Sequence, residues 1–152
     1  MISVLTKTIG LGAVTGLRSM LGPAMLCFYL NREPQSFKRR ALKLSSLQKV
    51  TTVMAVGELI GDKLPFAPDR VNPTALAGRA LMGALVGAIL FKDGGKSAYR
   101  GGIIGGVTAM LAAGVGYYLR KKVGQATEIE DPYLGAAEDL IAIGSGFTMV
   151  TY

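Results

Sequence analysis

The stretch Ser97–Lys121, SAYRGGIIGGVTAMLAAGVGYYLRK, decides how this sequence can fold. It is long enough to cross a bilayer as a helix, which takes ~20 mostly apolar residues. Glycine recurs there at four-residue spacing, as Gly101/Gly105 and Gly102/Gly106. In lipid, helices associate by close backbone packing, and small residues allow that approach. We therefore expect this stretch to be the central helix of a membrane bundle.

The composition of the whole chain agrees with that class. Of 152 residues, 50% are hydrophobic, 21 are glycine and only 18% are charged, against ~25% charged in typical soluble domains. A disordered chain, a collagen and a solvated coiled coil are excluded. One cysteine and no histidine exclude a disulfide framework, a His-ligated metal and a Ser-His-Asp group. We interpret residues 1–152 as one integral membrane domain.

Five apolar segments predict an all-α polytopic bundle of about five transmembrane helices. Asn72 and Pro73 mark one start clearly, because asparagine caps helices and proline fits the first turn. The predicted helices cover residues 2–30, 41–61, 73–91, 97–121 and 132–150.

The formal net charge of +7 would suggest nucleic acid in a soluble protein. Here the basic residues cluster in connectors, where they contact lipid headgroups, so we expect the bilayer as partner and no nucleic acid. With five crossings, eight Lys or Arg fall on the side of the C-terminus and six on the other. The positive-inside rule then predicts the N-terminus outside and the C-terminus inside.

Small residues at helical spacing predict the packing faces. They serve either contacts within one subunit or the seam of a homo-oligomer, a dimer being favoured. The glycines of this pattern are Gly12, Gly16, Gly57, Gly61, Gly83, Gly87, Gly101, Gly102, Gly105 and Gly106.

Charged residues inside the apolar segments are the candidate functional residues. Each costs ~2.5–3.5 kcal/mol at a helix centre on insertion scales, so such groups must be paired or hydrated. One interpretation is a set of Arg–carboxylate clamps that hold helices in register; the other is a polar pathway or solute site. The residues are Arg18, Glu58, Asp62, Arg79, Glu138 and Asp139.

Motifs for catalysis and for cofactors are missing. There is no Walker loop and no GxSxG sequence, and Gly101–Gly106 does not follow a strand. Carboxylates could supply oxygen ligands to a metal, but the arginines compete for them. We therefore expect no enzyme, no cofactor and no dedicated metal site.

Four short motifs together give a family resemblance, over most of the chain from about residue 10. They are GLRS at 16–19, GELIGDKLP at 57–65, GR at 78–79 with GAL at 83–85, and AEDLIAIG at 137–144. The chain resembles the bacterial membrane proteins catalogued as domain of unknown function 4126. It lacks the frequent aromatic and histidine residues that the family has after the Asp-Lys-x-Pro element. The resemblance implies a membrane protein, marks the same charged residues and supplies no substrate.

Two functions follow as hypotheses. The first is a small transporter or channel for an ion or small solute, with the buried charges at a polar mid-membrane site. The second is a structural or accessory subunit of a larger membrane complex, in which the same charges only clamp helices. In both cases we expect a bacterial inner membrane location.

Overall fold

The computed structural model describes residues 3–32, 44–61, 72–126 and 131–151. Within these ranges the chain forms six α-helices and no strand, so the all-α prediction is confirmed for them. The helices are α1 (Val4–Leu17), α2 (Leu21–Arg32), α3 (Leu44–Gly61), α4 (Pro73–Asp93), α5 (Ala98–Ala126) and α6 (Asp131–Thr151).

The first predicted helix is wrong as a single element. The run 2–30 breaks at Arg18–Met20 into α1 and α2, and α2 runs back along α1. Lys7, eleven residues before Arg18, places its Nζ 4.3 Å from the ring centroid of Tyr29, eleven residues after Arg18. Helices α1 and α2 therefore form a hairpin whose tip is Arg18-Ser19-Met20.

Pro23 explains the position of the break. A proline inside a continuous helix has no N–H to donate, and its ring collides with the carbonyl four residues earlier, here that of Ser19. In the first turn of a new helix the missing N–H costs nothing. Helix α2 begins at Leu21. Its first helical hydrogen bond across four residues runs from the Ala24 N–H to the Met20 carbonyl, at 3.1 Å. Pro23 thus lies where proline is tolerated.

The start of α4 is as predicted. Asn72 Oδ1 accepts a hydrogen bond from the Thr74 backbone N–H at 3.3 Å, and Pro73 occupies the first helical position. The fourth predicted helix is longer than expected, since α5 continues to Ala126. These two helices pack more extensively against each other than any other pair.

Both ends of the described chain lie at one end of the bundle, which we call the terminal end. A Cβ on Gly94 would lie 2.7 Å from Val4 Cγ2, and one on Gly10 would lie 2.7 Å from Met149 Cγ. The hairpin, which enters the bundle and returns, contributes to this arrangement. An N-terminus outside and a C-terminus inside would need the two ends at opposite ends of the bundle, and that orientation stays a prediction.

Glycines bring α1, α4 and α5 together at the centre. A Cβ on Gly105 would overlap the Gly83 carbonyl oxygen, and one on Gly101 would overlap the Gly87 carbonyl oxygen. From α1, Gly16 lies as tightly against the Ala109 carbonyl. At these positions only glycine lets the two backbones meet.

The other glycines of the pattern differ in how closely they pack. A Cβ on Gly12 would lie 3.0 Å from the Gly105 oxygen, and one on Gly106 would lie 3.2 Å from the Ala80 oxygen. Gly102 has only ordinary contacts, the nearest at 3.5 Å, and Gly57 has nothing within 4 Å. The surroundings of Gly61 lie outside the described residues.

The exterior of the bundle is apolar, whereas several polar side chains are inside. Leu81 of α4 is 69% exposed and Leu140 of α6 is 73% exposed, while Thr8 and Thr15 of α1 are fully buried. Within the described ranges, two helices are long and apolar enough to cross a membrane, α4 and α5. These two are consistent with membrane insertion. The expected five spans are not confirmed, since α1 and α2 are too short individually and α3 and α6 are not apolar enough by the same measure.

We expect Gly105→Ala to destabilise the protein and Gly114→Ala to leave it intact. The new methyl group at Gly105 would overlap the Gly83 carbonyl, whereas a Cβ on Gly114 would meet nothing within 4 Å. Overpacking costs about 1–3 kcal/mol, and alanine favours helix over glycine equally at both sites. Thermal unfolding of the two variants in detergent measures the difference. Equal melting temperatures of the two variants would show that α4 and α5 do not approach at Gly105 as closely as the structure indicates.

We expect both termini on the same side of a membrane. Single cysteines at Ser3, Ser97 and Thr151 in a Cys27→Ser background should react alike with an impermeant maleimide, in intact and in permeabilised cells. A cysteine at Gln125, at the opposite end of α5, should be accessible to the maleimide from the other side of the membrane. All four positions are exposed. Opposite labelling of Ser3→Cys and Thr151→Cys would contradict the hairpin.

Candidate functional site

An ion pair holds the tip of the hairpin to the last helix. Arg18 Nε donates a hydrogen bond to Asp139 Oδ1 at 2.6 Å, and Arg18 Nη2 contacts the same oxygen. Arg18 is 2% exposed and Asp139 is 7% exposed. A buried charge without a partner is strongly unfavourable, so the contact between Arg18 and Asp139 stabilises both buried residues. The ion pair joins α1 to α6 across 121 positions of sequence.

A second carboxylate binds the backbone of the tip. Glu58 Oε1 accepts hydrogen bonds from the Ser19 N–H and hydroxyl, both at 2.9 Å, and Glu58 Oε2 accepts one from the Met20 N–H at 3.0 Å. These N–H groups stand at the start of α2, where the helix dipole favours negative charge. Glu58 of α3 therefore caps α2 from outside the hairpin.

A cavity of about 240 Å³ opens beside the tip. It brings Arg79 of α4 close to Glu58, so its wall carries one charge of each sign. Arg79 is buried, with 6% of its surface exposed. The lining residues are Ser19, Met20, Glu58, Ala75, Gly78, Arg79 and Met82.

The cavity is closer to one end of the bundle than to the other. Arg79 is six residues from the start of α4 at Pro73, or about 9 Å at ~1.5 Å per residue. The 14 residues of α1 extend about 21 Å from the terminal end by the same measure. Measured along α4, whose 21 residues extend about 32 Å, the tip thus lies past the middle.

Glu138 faces a different place from its neighbour Asp139. Its Oε2 lies 3.8 Å from Arg120 Nη1 of α5. The two side chains line a groove of about 270 Å³ between α5 and α6, and the rest of its wall is apolar. Successive residues on a helix point about 100° apart, which separates the two carboxylates. We call this feature the α5–α6 groove.

Four of the six predicted site residues meet at the tip: Arg18, Glu58, Arg79 and Asp139. Glu138 lies in the α5–α6 groove, and Asp62 is outside the described residues. Sequence reasoning missed Ser19 and Met20, which take part through their backbone N–H groups. It also missed the role of Arg120, although the basic run Arg120-Lys121-Lys122 was visible. Pro23 was the available signal for the tip.

The carboxylates of the tip are used by protein donors. Among the described residues, no group of three or more His, Cys, Asp or Glu side chains is arranged to hold a metal ion. Asp139 binds a guanidinium and Glu58 binds N–H and O–H donors. The arrangement can orient a polar solute beside Glu58 and Arg79.

Comparison with known proteins gives one finding. The family model described as Domain of unknown function (DUF4126) matches residues 5–152. The chain belongs to this family. No curated protein and no solved structure matches it. Because the family description assigns no activity, the function of this DUF4126 member has to be argued from its geometry.

We expect the Arg18–Asp139 pair of this DUF4126 protein to be strongly coupled. Arg18→Met removes the guanidinium that Asp139 binds, and Asp139→Leu removes the carboxylate that Arg18 binds. Breaking a buried pair from one side costs about 3–5 kcal/mol, while Arg18→Met with Asp139→Leu should cost much less than the sum. A double-mutant cycle of unfolding in detergent measures this coupling.

Arg120→Gln is the matched control for that cycle. Its 3.8 Å pair with Glu138 is partly exposed, and such pairs contribute about 0–1 kcal/mol. Additive effects of the two substitutions at Arg18 and Asp139 would contradict the buried pair.

Proposed function

We propose that this protein is a small membrane transporter or channel whose solute site is the cavity at the hairpin tip. The observation that carries the proposal is the cavity itself, lined by Glu58 and Arg79 beside a break between two helices. The solute is a small ion or polar molecule, and the function is not enzymatic.

The distribution of polarity supports a place in the bilayer. Large apolar side chains cover the outside of α4, α5 and α6, while Arg18, Arg79 and Asp139 are buried. A soluble protein hides most of its large apolar side chains and rarely buries charged side chains completely. Here lipid would cover the apolar exterior, and the charged residues would face the bundle interior, as they do in membrane proteins.

The hairpin supports a solute site. Helices α1 and α2 contain 14 and 12 residues, fewer than the ~20 needed to span a bilayer. Non-helical backbone at membrane depth is tolerated only where protein buries it or where it lines a water-filled cavity. Broken helices of this kind form the binding sites of many transporters. The Arg18–Met20 tip meets both conditions, since Asp139 and Glu58 bind it and the cavity adjoins it.

The chemistry of the cavity favours a small polar solute. Its volume of about 240 Å³ holds several water molecules, each with a share of about 30 Å³ in the liquid. Glu58 accepts hydrogen bonds and Arg79 donates them, while the Ser19 hydroxyl, which donates its hydrogen to Glu58, can accept one. A zwitterion, an anion or a hydrated proton finds a partner there.

The revised topology also changes the proposed orientation. Nine Lys or Arg belong to the terminal end and its connectors, and five to the opposite end. The positive-inside rule then puts both termini in the cytoplasm, in a bacterial inner membrane. The nine are Lys7, Arg32, Lys38, Arg39, Arg40, Lys43, Lys92, Lys96 and Arg100; the five are Lys63, Arg70, Arg120, Lys121 and Lys122.

A homo-oligomer remains part of the proposal, with a dimer favoured. The exposed apolar side chains of α4 and α5 would pack equally well against lipid or a second copy.

We expect Gly78→Leu to abolish flux and Gly144→Leu to leave it unchanged. A Cβ at either glycine would meet nothing within 4 Å, so both variants should fold. Only Gly78 lines the cavity, where a leucine would occupy the space for a solute. Proteoliposomes test this with three probes: glycine uptake by light scattering, chloride efflux, and proton flux followed with an enclosed pH dye.

The wild type should pass at least one probe, and Gly78→Leu should reduce that flux about tenfold or more. A wild type that passes none of the three, or equal flux in the two variants, would overturn the proposal.

The accessory-subunit function is the second candidate, and the Arg18–Asp139 pair favours it. A closed, buried pair fixes helices without needing a solute. This function predicts that the protein purifies from its own membrane in fixed proportion with other chains. It also predicts that Asp139→Leu disrupts that assembly and that no probe crosses the proteoliposome.

A further inference from the structure

We propose that the α5–α6 groove binds a phospholipid with a primary ammonium headgroup, such as phosphatidylethanolamine. One acyl chain lies along the groove, the phosphate binds Arg120 and the ammonium group binds Glu138. The inference depends on the proposed place in a membrane and not on transport.

The shape of the groove fits a hydrocarbon chain. Residues Gly116, Leu119, Arg120 and Val123 face it from α5, at the spacing of one helix face, and α6 contributes a matching face. Its volume is about 270 Å³, and its wall is apolar apart from Arg120 and Glu138. Leu119 and Ile141 on this wall are 54% and 66% exposed. Such a surface requires an apolar cover.

Aromatic residues place the groove at headgroup depth. Tyr99 and Tyr117 of α5 are both exposed and 18 residues apart, about 27 Å at ~1.5 Å per residue. That distance matches the ~30 Å hydrocarbon core, and tyrosine concentrates at its two boundaries. Arg120 follows Tyr117 by one turn, so its guanidinium would lie at the level of lipid phosphates.

The charges of the groove select a zwitterionic headgroup. The side chains of Arg120 and Glu138 are 20% and 16% exposed in the groove. A phosphate oxygen can approach the exposed part of the guanidinium while an ammonium group approaches the exposed part of the carboxylate. The basic run continues with Lys121 and Lys122, but the connector that follows carries Glu128 and Glu130. The local balance thus gives little preference to a purely anionic lipid.

Lipid competition in detergent tests the assignment. The purified protein is mixed with phosphatidylethanolamine, phosphatidylcholine or phosphatidylglycerol, and the retained lipid is measured by native mass spectrometry and by thermal shift. We expect phosphatidylethanolamine to be retained about tenfold better than the other two, the effect of about one charge-assisted hydrogen bond. Phosphatidylcholine keeps the positive charge but has no N–H to donate, so it tests the role of Glu138 directly.

Three variants locate the site. Arg120→Gln should weaken retention of all three lipids, because each has a phosphate. Glu138→Gln should remove only the preference for phosphatidylethanolamine over phosphatidylcholine. Ala137→Leu fills the groove without changing its charges and should abolish retention. Arg100→Gln, an exposed arginine at the other end of α5, and Gly144→Leu are the controls and should bind like the wild type.

Two results would overturn the inference. One is equal retention of phosphatidylglycerol and phosphatidylethanolamine by the wild type. The other is unchanged retention in Arg120→Gln. If the wild type passes none of the three probes in proteoliposomes but retains phosphatidylethanolamine as expected, the proposed function is contradicted and this inference is not.

Discussion

The pair between Arg18 and Asp139 is the interaction on which the rest of this structure depends. It joins the turn of the first hairpin to the last helix, with Arg18 almost wholly buried. Removing Asp139 would take away a buried carboxylate that binds the guanidinium, which is strongly unfavourable. The same tip is held by Glu58 and borders the cavity. Hairpin, cap and cavity are therefore one arrangement, in which the ion pair fixes the geometry and Glu58 completes it.

Glycine makes that arrangement possible by letting three helices meet closely. Gly83 and Gly87 on α4 face Gly105 and Gly101 on α5, while Gly16 brings α1 against Ala109. Helices α1, α4 and α5 form the tightly packed centre, and the outer helices α3 and α6 contact the tip from outside it. Each supplies one carboxylate, Glu58 and Asp139. The central helices thus make the close backbone contacts, and α3 and α6 supply the carboxylates that bind the tip.

Local sequence signals predicted much of this fold, but they did not predict which residues pair across the tertiary structure. Asn72 and Pro73 fix the start of α4, because capping and proline geometry depend on neighbouring residues alone. The charged residues were predicted as a class, since burying a charge demands a partner. Which partner it finds depends on the fold, and so the pairing of Arg18 with Asp139 was not predicted. The hairpin was missed because the run 2–30 is apolar on both sides of Arg18 and long enough for one span, so that Arg18 and Pro23 were not interpreted as a break.

The hairpin also determines when this chain can finish folding. Helices α1 and α2 are made first, yet neither is long enough to be released into lipid as an independent span. The partner of Arg18 lies in the helix that is made last. The N-terminal hairpin can therefore make its contact with Asp139 only after α6 has been synthesised. A chain that stops before residue 139 lacks the carboxylate that Arg18 binds in the finished fold, so the contact that holds the hairpin to the bundle depends on the last helix.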